Sequence, residues 1–450
     1  MPTSSRRIGP TRRKVWDDEI THSHSLGLAN LQLYEINCFI EKTAKLELIT
    51  IFANMLPRRL SEVLDALRRD YPAIAITGPR QSGKTTLVRE VAKELPYINF
   101  ENPTERAEFL DDPKGFFRRV PEGAVLDEVQ HLPELLSYLQ VEIDANRRMG
   151  RWIMTGSQPL DVRRGVSQSL AGRVALLTLL PMSFAEVKEG GRAPKTLAEA
   201  VLTGGYPVLH DPDRSVKPTR WLEDYIATFI NQDVRQIINV RNRNAFDRFV
   251  RLCAARTGQI LNAAELSRDC GIDNKTTAAW LGVLEDSYLI HVVRPYARSF
   301  GKRMVKSPKL YWIDTGLACQ LLGITDINHL TTHPLWGALV ETWSISEVVK
   351  GRLHRGLPPR IWYWRSSDGI EVDLLFDGGQ RVIPWEIKAS ATPKLDDLAP
   401  SAKVAALAAR EGSVRVESGI LIHGGDEDRP LGPGRAVPWT DIDRHVPEDP

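Results

Sequence analysis

Two groups of residues in this sequence have the types and spacing to do chemistry. The first is the run Gly78, Pro79, Arg80, Gln81, Ser82, Gly83, Lys84, Thr85, Thr86. Its G-x-x-x-x-G-K-T spacing sets two glycines where a backbone must curl with its N–H groups turned inward. The lysine then reaches the β and γ oxygens of a nucleotide, and the threonine hydroxyl is placed to ligate Mg2+. The second group is Glu371, Asp373, Glu386 and Lys388, set into the apolar runs GIEVDLLF and RVIPWEIKAS. An ionised group in an apolar interior costs several kcal/mol unless it is paired or bound to metal, so these four require a salt-bridge network or an ion.

Neighbouring elements must hold each group. An apolar strand, Ala73 to Thr77, precedes the glycine loop and an amphipathic helix reaching Leu95 follows it. That strand, loop and helix order makes ATP binding the expectation. In GAVLDEVQHLPELLSYLQVEID, a second strand ends in Asp127 and Glu128 before a helix and resembles a Walker B strand. Asp127 would hold Mg2+ through its water shell, and Glu128 would orient or deprotonate the attacking water. A third strand, in GRWIMTGSQPLDV, ends in Thr155, Gly156 and Ser157. Thr155 and Ser157 are both candidates to touch the water or the γ-phosphate, Ser157 first, against a plain strand-to-turn exit. Arg173, in SLAGRVALLTLLPMSFAEV, is read as an arginine finger across a subunit boundary, a sensor within its own subunit or a surface arginine.

A helix, WGALVETWSISEVVKGRL (336 to 353), and the strand RIWYWRS precede the second group. Period-two alternation sends Glu386 and Lys388 to one face. A helix and three strands in this order resemble the core of the PD-(D/E)xK nucleases. The resemblance implies that Asp373 and Glu386, with the carbonyl of Ile387, hold Mg2+. Lys388 would then position or deprotonate the hydrolytic water, and Glu341 would complete the metal shell. Glu371 is expected to face outward or be hydrogen-bonded. The same residues also suit an ionic network in a fold that does not cut, since a fold does not establish activity.

Between the groups, ILNAAELSRDCGIDNKTTAAWLGVLEDSYLIHVVRPY reads as helices 263 to 270 and 274 to 285, joined by a Gly-containing turn and followed by a strand. This is a winged helix-turn-helix pattern. Read as a DNA-binding element, it would offer Asn274, Lys275 and Thr276 from its second helix, and Arg294, Arg298, Lys302, Arg303 and Lys306 from the basic stretch RPYARSFGKRMVKSPK. The second helix has few long polar residues, so phosphate contact fits better than base reading. Packing against protein is the alternative.

In order, GPRQSGKTT, LDEVQ, TGSQ, LAGR, TGGYP, LYWIDTGLA, LVETW, EVDLLF and EIK resemble the AAA+ ATPases. The likeness is closer to a prokaryotic group whose AAA-type domain is fused to a C-terminal domain of uncharacterised function. The resemblance covers Met55 to the end and implies ATP hydrolysis coupled to conformational change, commonly in a ring.

A chain of 450 residues exceeds what one core can organise. The expected parts are a flexible extension (1–54), a P-loop AAA+ ATPase domain of α/β class (55–190), a helical and winged-helix domain (191–325) and an α/β restriction-endonuclease-like domain (326–450). Met55 is a candidate initiator. The four cysteines, Cys38, Cys253, Cys270 and Cys319, have no C-x-x-C spacing, which fits a reducing cytoplasm and neither a zinc site nor a disulfide framework. The net charge of +2 says nothing about nucleic acid. No stretch nears the roughly 20 apolar residues that span a bilayer, so no membrane is expected. The leading expectation is an ATP- and Mg2+-dependent motor on duplex or branched DNA. Its rivals are an ATPase remodelling a protein partner, an ATP-dependent endonuclease and a nucleotide-gated DNA-binding regulator.

Overall fold

The structure, a computed structural model, describes residues 56–157, 170–211, 213, 216–234, 242–297, 305–412 and 414–448, the side chains of 231–234 excepted. The expected extension at 1–54 lies outside these residues, as do the candidate DNA contacts Arg298, Lys302 and Arg303.

Strands β1 (Ala73–Thr77), β2 (Tyr97–Asn99), β3 (Ala124–Asp127), β4 (Trp152–Gly156) and β5 (Val174–Thr178) form a parallel sheet in the order β2-β3-β4-β1-β5. Helices α1 (Leu60–Leu67), α2 (Lys84–Val91) and α3 (Leu135–Ala145) flank it. Every residue of β1 and β4 is buried, as expected of parallel strands covered on both faces. Ala73 and Ala75 turn to a core holding Phe109, Phe116 and Trp152, whereas Ile74 and Ile76 turn to one holding Leu60, Leu87 and Val88. Each large aliphatic side chain so buried stabilises by roughly 1.5–3 kcal/mol. That packing pins the carboxyl end of β1 and therefore the glycine loop. Helix α2 begins at Gly83, φ 95°, with no side-chain cap, so its first N–H groups stay available to an anion.

The middle stretch runs through helix Arg243–Ala255, β6 (Gln259–Ile260), α4 (Ala263–Cys270), α5 (Asn274–Asp286), β7 (Ile290–Val293) and β8 (Lys309–Trp312). Its antiparallel sheet has the order β6-β8-β7. Gly271 at φ 69° ends α4, and Asp273 opens α5 by accepting the Thr276 N–H at 2.8 Å. The segment joining β7 to β8 is tied down at both stems: Tyr296 N–H donates to Tyr363 O at 2.8 Å and Val305 N–H to Arg365 O at 3.0 Å.

Tyr363 and Arg365 belong to the third sheet, which holds β9 (Ile361–Arg365), β10 (Glu371–Asp377), β11 (Arg381–Lys388), β12 (Arg415–Val416), β13 (Ile420–His423), β14 (Arg429–Leu431) and β15 (Gly434–Pro438). Its order is β14-β15-β13-β11-β10-β9, with β12 also on β11. Strand β10 is antiparallel to both β9 and β11, and β13 runs parallel to β11. Helix α6 (Trp336–Leu353) packs on β8 and β11, and α7 (Ala399–Glu411) packs on β10 and β11. One apolar core continues across residue 326, joining Phe246, Trp280 and Trp312 to Trp343, Trp385 and Trp439. No helix among the described residues is long and apolar enough to cross a membrane.

Candidate nucleotide site and carboxylate cluster

The parallel register of the first sheet brings the ends of β1, β3 and β4 together. Lys84 is buried, and its ammonium donates to the carbonyls of Gly78 and Pro79 at 3.0 and 2.9 Å. Burial lowers its pKa to about 8, although Glu128 and Asp127 pull upward. Thr85 Oγ1 donates to Asp127 Oδ2 at 2.8 Å, and the Tyr97 hydroxyl donates to the same oxygen at 2.5 Å. Thr155 Oγ1 donates to Asp127 Oδ1. Burial raises the Asp127 carboxyl above the usual range against the pull of the Tyr97 and Thr85 hydrogen bonds. Glu128 stands in the left-handed region at φ 55°, and its carboxylate accepts Ser157 Oγ at 3.1 Å and the Gln130 amide. The two polar candidates of β4 divide their work: Thr155 holds Asp127 and Ser157 holds Glu128.

The loop itself is built for a close ligand. A Cβ on Gly78 would lie 2.0 Å from Leu179 O, so only glycine fits there. Gln81 is left-handed at φ 61°, and Thr86 is exposed on the first turn of α2. Ser82 is buried and its hydroxyl has no partner. An orphaned hydroxyl, a helix start without a side-chain cap and a lysine folded back on loop carbonyls suit a triphosphate, and the Thr85–Asp127 pair suits its Mg2+. The middle stretch touches this loop. The Tyr225 hydroxyl donates to Arg80 O at 3.3 Å, and the Tyr288 hydroxyl shares a 2.6 Å hydrogen bond with Thr77 Oγ1.

Arg173 corrects the own-subunit reading. Its backbone carbonyl accepts the Ala73 N–H, at the start of β1, and its guanidinium grips Asp144 at 2.6 and 2.8 Å. The loop follows Thr77, four residues on, which is about 13 Å at the rise of a strand. Arg173 cannot sense the nucleotide of its own chain from there.

In the third sheet the carboxylates do converge, but in a different set from the expected one. Oxygens of Glu341, Glu371 and Asp373 lie within 4.8 Å of one another. Glu371, expected to be a bystander, is a member. Glu386 is buried and turned to α7, where Ser401 Oγ donates to it at 2.8 Å. Among the three clustered groups stands a lysine that sequence reasoning missed: Lys309 Nζ donates to Glu341 Oε1 at 2.8 Å and pairs with Glu371. Asp373 Oδ2 accepts the Ile387 N–H at 2.8 Å and lies 3.7 Å from Lys388 Nζ. Burial pushes Glu341, Asp373 and Glu386 upward. Lys309 is held above the usual lysine range: burial lowers it, and Glu341 and Glu371 more than reverse that.

An Mg2+ site of the expected kind does not fit here. The ammonium of Lys309 takes the shared space between Glu341 and Glu371, and Glu386 is turned to Ser401, so the carboxylates brought together are Glu341, Glu371 and Asp373. The expected shell of Asp373, Glu386 and Glu341 is thereby corrected. The remaining candidate DNA contacts, Lys275 on the first turn of α5 and Arg294 and Lys306 at the stems of the basic segment, are exposed.

Three stretches of the chain match known families. Residues 70–188 match the family described as AAA domain, 194–328 a domain of unknown function (DUF8612) and 336–442 a domain of unknown function (DUF4143). Two uncharacterized proteins, from Mycobacterium tuberculosis and Mycobacterium bovis, are each 33% identical over 336 residues, covering 74% of this chain and 74% of theirs. The chain belongs to their family, an AAA-domain ATPase joined to a DUF4143 domain. Among solved structures, a Walker-type ATPase of Pyrococcus abyssi is 18% identical with a TM-score of 0.42, covering 59% of this chain and 96% of that one. RuvB of Thermotoga maritima is 18% identical with a TM-score of 0.28, covering 52% and 87%. At such scores the superpositions carry no conclusion about this AAA-domain protein. Its AAA stretch contains Lys84, Thr85, Asp127 and Glu128, its DUF4143 stretch contains Glu341, Asp373, Glu386 and Lys388, and Lys309 lies in the stretch between.

Three residues at these sites carried no sequence signal. Tyr97 reaches Asp127 because β2 pairs with β3 in the register Asn99↔Asp127. Gln130 reaches Glu128 and Ser157 through a 3-10 turn after β3. Lys309 was counted at the end of a basic stretch; its burial on β8 comes from the sheet that β8 joins.

Proposed function

We propose that this protein is a Mg2+-dependent ATPase that couples hydrolysis to action on duplex or branched DNA as a homo-oligomeric ring. The hydrogen bond between Thr85 and Asp127, 2.8 Å, beside the buried Lys84 carries the ATPase reading, because it sets the two metal-directed groups and the phosphate-directed cation around one loop. Bound Mg2+ supplies charge neutralisation to the β and γ oxygens. Lys84 leaves the carbonyls of Gly78 and Pro79 for the phosphates, and the N–H groups of the loop from Arg80 to Lys84 wrap them. Glu128, held by Ser157 and Gln130, orients the attacking water and takes its proton. Tyr225 and Tyr288 tie the loop and the strand before it to the middle stretch, giving the nucleotide cycle a mechanical outlet. Arg173, held by Asp144, would serve a neighbouring subunit's nucleotide only by leaving that pair, and is otherwise a surface arginine.

The DNA reading draws support from the α4-turn-α5 arrangement, its three-stranded sheet and the exposed Lys275, Arg294 and Lys306, whose charges suit phosphate contact. A second reading, an ATPase that remodels or regulates a protein partner on an inert nuclease-like platform, is favoured by the lysine inside the carboxylate cluster. Cleavage through that cluster is not proposed, because the expected metal shell does not fit.

Steady-state ATP turnover with and without duplex and junction DNA separates these readings. DNA should stimulate turnover several-fold, and Lys84→Ala should abolish it. Protein that neither binds nor hydrolyses ATP would end the ATPase reading, and turnover indifferent to every polynucleotide would pass the case to a protein partner.

A further inference from the structure

We infer that Lys309 is the built-in cation of the carboxylate cluster, an ammonium standing where a divalent ion would be bound, so that the DUF4143 stretch binds no metal there. The inference does not depend on how the ATPase is used. Three carboxylate oxygens within 4.8 Å of one another describe room for one cation. Lys309 Nζ is already there, 2.8 Å from Glu341 and paired with Glu371, on a side chain only 3% exposed. The rings of Tyr311 and Tyr363 flank the ammonium, 5.8 and 5.7 Å from centroid to Nζ, as aromatic faces do around an organic cation.

Each carboxylate is also held by a further donor. The Tyr311 hydroxyl donates to Glu341 Oε1 at 2.6 Å, Arg365 donates to Glu371 Oε2 at 2.7 Å and Ile387 N–H donates to Asp373 Oδ2 at 2.8 Å. Lys388, 3.7 Å from Asp373, adds a second positive charge. Lys309, Lys388 and Arg365 together bring three positive charges to the cluster, more than one divalent ion would, and they do so with fixed covalent tethers. The tethers differ in origin: Lys388 comes from the sheet that carries Glu371 and Asp373, whereas Lys309 comes from β8 of the middle stretch. The cluster thus fastens the middle stretch to the DUF4143 stretch and spends its negative charge in doing so.

Removing the tethered cation should uncover the site. Nucleotide-free full-length protein is titrated with Mn2+, read by calorimetry and by the electron paramagnetic resonance signal of free Mn2+, as wild type, Asp373→Asn, Lys309→Met and Lys309→Met with Asp373→Asn. The expected result is identical Mn2+ binding by wild type and Asp373→Asn. Lys309→Met should gain one site per chain, at least tenfold tighter than anything in wild type, and the double variant should lose it. A Mn2+ site in wild type that Asp373→Asn removes overturns the inference, because the cluster is then a metal centre from which the lysine yields. Folded Lys309→Met that gains no site overturns it too, because the carboxylates then do not converge on a cation. Should Lys309→Met not fold, the comparison of wild type with Asp373→Asn decides alone.

Discussion

Lys84 is held in a dry loop with carbonyl oxygens for company, and this makes it a reporter of its own occupancy. An unfolded lysine keeps its proton up to about 10.5, whereas in the folded chain burial brings the value to about 8. The buried ammonium therefore costs stability at and below pH 8, and the cost fades as pH rises from 8 toward the unfolded value. A triphosphate beside it reverses the shift, so ATP binding at about pH 8.5 should take up a proton. Binding enthalpies measured in two buffers of different ionisation heat should differ; equal enthalpies would place Lys84 away from the phosphates. Tyr97→Phe removes a hydrogen bond to a charged acceptor worth roughly 1.5–3 kcal/mol. We expect kcat/KM for ATP to fall by about tenfold at limiting Mg2+ and to recover in part at high Mg2+, read from turnover across a Mg2+ series. At this scale the glycine loop and the Asp127–Glu128 pair were legible because adjacent residues share a strand-loop-helix frame. Tyr97 and Lys309 were not, since each meets its partner only through pairing between strands distant in sequence.

Elements set a different kind of constraint. The two loop glycines stand at φ 155° and 95°, yet what surrounds them differs: a Cβ on Gly78 meets the carbonyl of Leu179 at 2.0 Å, and one on Gly83 meets nothing nearer than an arginine tip at 3.5 Å. Gly78→Ala should displace the backbone beyond β5, lowering stability by about 1–3 kcal/mol and abolishing ATP binding. Gly83→Ala should cost only its left-handed conformation, about 1–2 kcal/mol. Thermal melts with and without ATP check the order; equal losses would show that conformation rather than crowding governs both. Helices expected at 263 to 270 and 274 to 285 are found at Ala263–Cys270 and Asn274–Asp286, because Asp273 and Gly271 punctuate them. The end of the chain contains β13, β14 and β15, and of these Arg429–Leu431 and Gly434–Pro438 are too short and too rich in Gly and Pro to show a period in the sequence.

Across the whole molecule, buried ions do the joining. Glu186, after the first sheet, lies 3.1 Å from Arg58 before α1 and 3.1 Å from His354 at the end of α6. His354 Nε2 accepts the Leu180 N–H at 3.2 Å, so its proton sits on Nδ1, facing Glu186. Burial pushes the Glu186 carboxyl up, but Arg58 and His354 together hold it well below the usual range. A depressed folded value contributes stability above the unfolded value and loses it as pH falls through and below that value, so the link weakens under acid. Glu186→Gln leaves Arg58 uncompensated and should cost about 3–5 kcal/mol. Urea midpoints at neutral pH and at about pH 4 should show a gap between wild type and variant that narrows in acid. The sequence announced separate parts by their motifs, but not that the apolar core runs unbroken past residue 326. Trp280, Trp312, Trp343 and Trp385 look like ordinary interior residues of whichever part contains them.

The stems of the basic segment lie along β9, the outermost strand of its sheet, through the Tyr296 and Val305 amides. An uncovered strand at a sheet border offers its amides and carbonyls to any extended chain that drifts past. Here the protein supplies its own cover from the other side of the cluster. Local opening of that cover would leave a templating rim, and solubility would fail well before the remaining secondary structure melts.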